Sequence, residues 1–257
     1  MGLRPLTVDR WIEVDDRREV ELEQKHHLIK DARSIVVATL PGSLKAQEEL
    51  EELISQNLDE FHSGLPIDFL QDPDPIVRAS SAIQEDCCIL ESDGSEWVLT
   101  AASVCFPSRW ALTEKIGRGL TAIHAPVPGY DTALASPVDA FFDRLQPGQP
   151  KWRLNWTILD TDELHLPTDS AHRRPELLPD LGDLTFRVER QTLRKMERSR
   201  AVVFTIRNYT TPLSVMCEDA GARLALLETL KTVQPDVAAY KGWTPLLEPL
   251  LAWLHEN

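Results

Sequence analysis

The spacing of apolar positions changes twice along the chain, dividing it into helical ends around a strand-rich middle. Across residues 17–38, Val20, Leu22, Leu28, Ile29, Ile35 and Val36 stand among charges, and Pro41-Gly42 ends the run, which predicts a helix. Ser43, with Gln47 and Glu48 nearby, predicts an N-cap and a second helix to about Leu58. From Asp86 the period shortens. Residues 87–90 and 97–105 predict strands, joined by the hairpin turn Ser92-Asp93-Gly94-Ser95. Residues 109–120 predict a helix, as do 138–145 after Ser136-Pro137, while Ala125-Pro126-Val127-Pro128-Gly129 between them excludes regular structure. Strand character returns at 152–159, 184–193 and 201–209. A polar loop over 161–182 with three prolines separates the first two of these and is expected to lie over something. Two helices, 217–232 and 245–255, close the chain.

Two strands, a helical middle and three further strands is the element order of a PAS-type sensor domain, in which an antiparallel sheet and its helices enclose one pocket. The expected fold class is therefore α+β, with helical extensions at both ends. An N-terminal helical segment (1–60) packs on a PAS-like core (61–215), and C-terminal helices (216–257) complete one continuous structural domain.

Composition narrows the function. With 42% hydrophobic and 26% charged residues, the 257-residue chain is globular rather than disordered. Its net charge of -14 argues against nucleic acid, which needs a basic surface. Met1 to Arg10 holds no apolar signal core and no 18-residue apolar run occurs, so a cytoplasmic, non-membrane protein is expected. Cys87, Cys88, Cys105 and Cys217 lack zinc or iron–sulfur spacing and read as reduced packing residues. Adjacent Cys87 and Cys88 should point to opposite faces of a strand.

Several runs stand out: Met1-Gly2-Leu3-Arg4-Pro5-Leu6, Val104-Cys105-Phe106-Pro107-Ser108-Arg109-Trp110, Glu114-Lys115-Ile116-Gly117-Arg118 and Ile123-His124-Ala125-Pro126-Val127-Pro128-Gly129. Later come Arg153-Leu154-Asn155-Trp156, Arg187-Val188-Glu189-Arg190-Gln191-Thr192-Leu193 and Val203-Phe204-Thr205-Ile206-Arg207-Asn208-Tyr209. In this order they resemble the haem-dependent oxidative N-demethylase alpha-subunit family, from the first residue to about Leu213. The resemblance implies a PAS-like fold that binds haem b through a histidine iron ligand. It implies a monooxygenase, an oxidoreductase that uses oxygen and electrons to oxidise the N-methyl group of small secondary amines and release formaldehyde. It also implies separate flavin and iron–sulfur subunits as electron donors, and no flavin or iron–sulfur motif occurs in this chain.

A haem site needs an axial ligand, an apolar pocket, and cationic or hydrogen-bonding groups for the propionates. No CxxCH is present. His26, His27 and His255 belong to charged terminal helices, and His62 precedes a Ser-Gly break. His124, His165 and His172 remain. His124 lies in a proline-rich block that suits a structural histidine equally well. The resemblance puts the iron ligand in the loop before the Arg-Val-Glu-Arg-Gln strand, where His172 is the best match and His165 the next.

Arg187, Glu189 and Gln191 share one strand face and Val188, Arg190 and Thr192 the other. Three polar residues facing a core need partners or a ligand, so that face is a candidate pocket wall. Arg187 would bind a propionate or hold Glu189; a buried structural network fits as well. Arg207 and Tyr209, sharing one face of the next strand, are candidates for donation to bound oxygen or for orienting an amine, and Glu189 joins them as a catalytic candidate. Asn155 and Trp156 would complete the wall, with Trp156 also a natural core aromatic. Lys115 and Arg118, one turn apart on the expected middle helix, are candidate propionate partners. From a different class, a haem gas sensor or carrier without turnover would use the same pocket, although no kinase, cyclase or DNA-binding module is appended in these 257 residues. A haem-free interaction protein is the third reading.

Overall fold

The computed structural model describes residues 2–66, 69–129, 135–167 and 180–256. The chain opens with a two-residue strand, β1 (Arg4–Pro5), then α1 (Arg18–Asp31) and the short α2 (Arg33–Val36). The single helix expected over 17–38 is thus broken. The backbone leaves helical geometry at Ala32, and Val37–Thr39 becomes an edge strand, β2. Consecutive β-branched Ile35, Val36 and Val37 favour extended backbone, and a free sheet edge supplies the pairing that a helix end would lack. Helix α3 (Leu44–Phe61) buries Ala46, Leu50, Ile54 and Leu58, a stripe at four-residue spacing. The Ser43 hydroxyl precedes it but donates to the Leu40 carbonyl at 2.8 Å and accepts from Gln47 at 2.9 Å, so it caps no backbone N–H. Helix α4 (Pro75–Ser81), not expected from the apolar pattern, begins with proline in its first turn, where a missing N–H costs nothing.

Strands β3 (Asp86–Ser92) and β4 (Trp97–Ser103) form the anticipated hairpin. The stretch 109–120 is not a helix. Only Leu112–Glu114 makes a 3-10 turn, after which Gly117 adopts a left-handed φ of 75° and bonds Leu99, whose own N–H reaches the Arg118 carbonyl. Backbone bonds to β4 thereby replace helical ones, and Lys115 and Arg118 do not share a helix face. Helices α5 (Leu120–His124) and α6 (Ala135–Arg144) follow, then β5 (Lys151–Leu159), β6 (Thr185–Lys195) and β7 (Val202–Pro212). Among the described residues these seven strands pair antiparallel, in the order β1-β5-β6-β7-β3-β4-β2. The third and fourth core strands are separated by the segment after Leu159, while β7 closes back on β3.

Alternation along the strands gives the sheet two different sides. Cys87, Ile89, Ala101 and Val203 pack with α3 and α4 through Leu50, Ile54, Ile76 and Val77. Cys88, Leu90, Leu99 and Leu193 point the other way, to Leu120 of α5 and Phe142 of α6. The two adjacent cysteines do serve opposite faces. All four thiols are free, and burial pushes those of Cys87 and Cys105 up to about 12, as befits packing rather than reactive groups. The expected helix over 217–232 is present as α8 (Ala220–Thr232), preceded by the short α7 (Leu213–Met216). An unanticipated α9 (Pro235–Tyr240) precedes α10 (Leu247–Glu256). These close a third cluster with Ile158 and Leu184 through Leu226, Leu230, Trp243 and Leu250. No helix among the described residues is long and apolar enough to cross a membrane.

Candidate functional site

Strand β6 carries a run of polar side chains from Glu189 to Thr192, and register decides where each goes. Arg190 pairs with Arg207 and Val188 with Tyr209, so Arg207 and Tyr209 share the side of Arg190 and Thr192, under the N-terminal segment. That segment is stitched down residue by residue. Trp11 donates its indole N–H to Thr192 at 3.1 Å, and Arg190 donates to the carbonyls of Arg10 and Trp11 and pairs with Glu13 at 3.0 Å. Arg207, 1% exposed, pairs with Asp15 at 2.6 Å and Glu21 at 2.7 Å. Tyr209 donates its hydroxyl to Glu13, and burial and that carboxylate push its pKa up. Arg207 and Tyr209, both expected to face a pocket, therefore sit in an anchoring network on the opposite side of the sheet from Glu189.

Arg187 does lie on the Glu189 side, near the end of β6. It is 0% exposed and fully engaged. Nε and Nη2 donate to Asn208, Nη2 also to the Phe106 carbonyl at 2.7 Å, and Nη1 to the carbonyls of Leu164 (3.0 Å) and Glu163 (3.4 Å). Beside it, Nδ1 of His165 meets the Cys105 carbonyl at 2.7 Å, where the segment after β5 runs along 105–108. Trp156 stacks between Phe186 (5.3 Å) and Trp243 (5.2 Å), within the C-terminal cluster. The side chain of Arg118 is exposed. His172 lies outside the described residues.

Further along the same side, β5 and β6 present a more open polar strip. Arg153 faces Gln191 and Asn155 faces Glu189 in the ladder. Arg153 Nε donates to Gln191 at 2.7 Å, Gln191 Nε2 to Glu189 at 2.8 Å, and Asn155 Nδ2 to the same Glu189 oxygen at 3.1 Å. Next to this strip, α5 ends in His124, whose Nδ1 lies 2.8 Å from the Leu120 carbonyl four residues back. A carbonyl can only accept, so the proton of this bond sits on Nδ1. Burial lowers the His124 pKa, the bond to Leu120 opposes this, and the charges of Arg153 and Lys115 lower it further, so the net shift favours the neutral ring. Lys115 donates to the Ile123 carbonyl at 2.7 Å. Ile116, Ile123, Val138 and Phe141 pack into the apolar cluster on this side.

The structure thus brings together Glu189, Gln191, Asn155, Lys115 and His124, and adds Arg153, which strand alternation alone does not single out because its relation to Gln191 lies across the ladder. A neutral imidazole fixed through Nδ1, two nearby cations and a flanking apolar cluster make a donor set suited to a metal-bearing, anionic, largely apolar group. Residues 2–251 match the model of the family described as haem-dependent oxidative N-demethylase, alpha subunit-like, and the chain belongs to that family.

Proposed function

We propose that this chain is a haem-dependent oxidative demethylase of small N-methyl amines, with haem b held against the α5/α6 side of β5 and β6. The observation that carries the placement is His124. Metal-bound histidines almost always donate their second ring nitrogen to a carbonyl or carboxylate, which fixes the tautomer. The bonds from His124 to Leu120 and from His165 to Cys105 both have that form, and His124 is the one of the two beside Arg153 and Lys115 and the apolar side chains of α5 and α6. Arg153 and Lys115, both within electrostatic reach of His124, would face the propionates. Ile123 and Phe141 would line the macrocycle. The two-strand, helical, three-strand order within one antiparallel sheet supports the PAS-like reading of the core.

Bound haem would supply oxygen activation, a chemistry that no side chain here provides. In balance, a secondary N-methyl amine, O2, two electrons and two protons give a primary amine, formaldehyde and water. The electrons would come from a separate flavin and iron–sulfur reductase. This chain's own part is to hold the cofactor, exclude bulk water and position the amine.

The test is the absorption spectrum of haem-reconstituted protein, oxidised, reduced and with carbon monoxide, for wild type, His124→Gly and His172→Gly. Formaldehyde release from dimethylamine under a chemical or enzymatic reductant is measured alongside. A Soret band lost or shifted in His124→Gly and restored by added imidazole is the expected result. Loss in His172→Gly alone would move the ligand to the loop expected from the resemblance. A normal haem spectrum without formaldehyde would favour the sensor or carrier. Absence of a stoichiometric Soret band in wild type would remove both haem readings.

A further inference from the structure

Resting on that reading of the site, we infer that Glu189 and Asn155 together form the seat for the substrate's protonated nitrogen, built to match the two N–H groups of a secondary ammonium. Glu189 differs from the carboxylates that anchor the N-terminal segment and the start of β3. Glu13, Asp15, Glu21 and Asp86 each have a cationic partner: Arg190, Arg207, Arg207 and Lys25. Glu189 has no ion pair among the described residues. Its hydrogen bonds come from two side-chain amides, Asn155 and Gln191, and both fall on Oε2.

The nearby cations Arg187 and Lys241 feel the Glu189 charge but direct their hydrogen bonds elsewhere. Lys241 donates to the Trp156 carbonyl at 2.7 Å and lies over the Trp243 ring, and Arg187 is taken up by Asn208 and three carbonyls. A half-buried carboxylate held in place by neutral donors on one oxygen offers its other oxygen to a cation.

Asn155 supplies the second acceptor. Its Nδ2 is fixed on Glu189, which leaves the carboxamide oxygen on the same open strip of β5. A dialkylammonium carries two N–H donors, one for Glu189 Oε1 and one for Asn155 Oδ1. A trialkylammonium can satisfy only one of them and a tetraalkylammonium neither. Glu189 stands two residues along β6 from Gln191, ~7 Å at strand spacing, and Gln191 is bonded to Arg153 beside His124. A nitrogen seated there lies next to the proposed cofactor position.

The experiment is calorimetric titration of the full chain, haem-free and haem-loaded, with dimethylammonium, trimethylammonium, tetramethylammonium and neutral N-methylformamide. Wild type should bind dimethylammonium best and N-methylformamide undetectably. Glu189→Gln should weaken dimethylammonium by about tenfold or more, the loss of one charge-assisted contact. Asn155→Leu should narrow the gap between dimethylammonium and tetramethylammonium, and Glu189→Asp, retaining the charge, should keep part of the affinity. Melting curves confirm that each variant is folded, and the Soret band of Glu189→Gln should match wild type. Unchanged dimethylammonium affinity in folded Glu189→Gln, equal binding of N-methylformamide, or no binding of dimethylammonium to either wild-type form would overturn the assignment. Dimethylammonium binding to a chain that takes up no haem would instead overturn the haem reading and leave this one standing.

Discussion

Arg187 donates twice to the single carboxamide oxygen of Asn208, from Nε at 3.2 Å and from Nη2 at 2.9 Å, across the β6–β7 ladder. The same guanidinium reaches the carbonyls of Phe106, Leu164 and Glu163, so one side chain ties two strands to the two segments that run beside them. Burial lowers its pKa, and the charges of Glu189 and Asp86 offset this only in part. Arg187→Met would remove every donor of this guanidinium and leave the buried Asn208 and Leu164 oxygens without it. The expected loss is about 3–5 kcal/mol, read from the midpoint of urea unfolding. Arg187→Lys should recover only a fraction, because an ammonium cannot reproduce the planar fork. A loss below about 1 kcal/mol in Arg187→Met would show that water replaces the guanidinium without penalty.

Glu49 of α3 accepts the backbone N–H groups of Arg198 (2.9 Å) and Ser199 (2.7 Å), closing the turn between β6 and β7. Burial raises its pKa, but these bonds outweigh burial and hold it below the ordinary value. A carboxylate whose folded pKa is depressed stabilises the protein above its unfolded pKa, and that contribution fades as pH falls through the folded pKa. Glu49→Gln should therefore cost about 1–3 kcal/mol at pH 7, with the gap to wild type narrowing below about pH 4.3. Chemical denaturation at several pH values checks this, and a gap independent of pH would contradict it.

What could be read from the chain beforehand was what depends on local period. The α3 stripe, the β3–β4 hairpin and the alternation of Arg187, Glu189 and Gln191 on β6 all follow from neighbours a few residues apart. The failure at 109–120 has a definite cause. Trp110, Leu112, Ile116 and Leu120 are spaced as on a helix, but left-handed Gly117 and the bonds to Leu99 divert the backbone. Arg207 and Tyr209 were rightly placed on one strand face. Which side of the sheet that face joins depends on the register Arg190↔Arg207, a non-local pairing that alternation does not encode. The pairing of Arg153 with Gln191 is non-local for the same reason. His124 carried one local clue, a leucine carbonyl four residues back on a short helix after Gly119, which its proline-rich flank obscures.

Trp156 joins the sheet to the C-terminal helices. It stacks on Phe186 and Trp243 with interplanar angles of 28° and 21°, and Lys241 holds its carbonyl. Trp156→Ala should cost about 3–5 kcal/mol by cavity formation and lost stacking. Because α8–α10 pack on this cluster, limited proteolysis should cut first after residue 213. Protection of that region unchanged from wild type would mean that the helices are held by other contacts.

The opposed placements of Tyr209 and Glu189 make a prediction that separates anchoring from chemistry. Tyr209→Phe removes a hydroxyl that meets Glu13 under the N-terminal segment, and Asp15→Asn removes one of the two carboxylates on Arg207. Both changes act on the side of the sheet away from His124 and the Glu189 strip. Each should lower stability, by about 1–2 kcal/mol for Tyr209→Phe and more for Asp15→Asn, where a buried guanidinium loses half its counter-charge. The segment around residues 10–16 should exchange its amide hydrogens faster in both. Neither should move the Soret band of haem-reconstituted protein or weaken dimethylammonium binding. A Tyr209→Phe variant of unchanged stability but altered haem spectrum would put its hydroxyl at the cofactor and return Arg207 and Tyr209 to the roles their sequence blocks suggested.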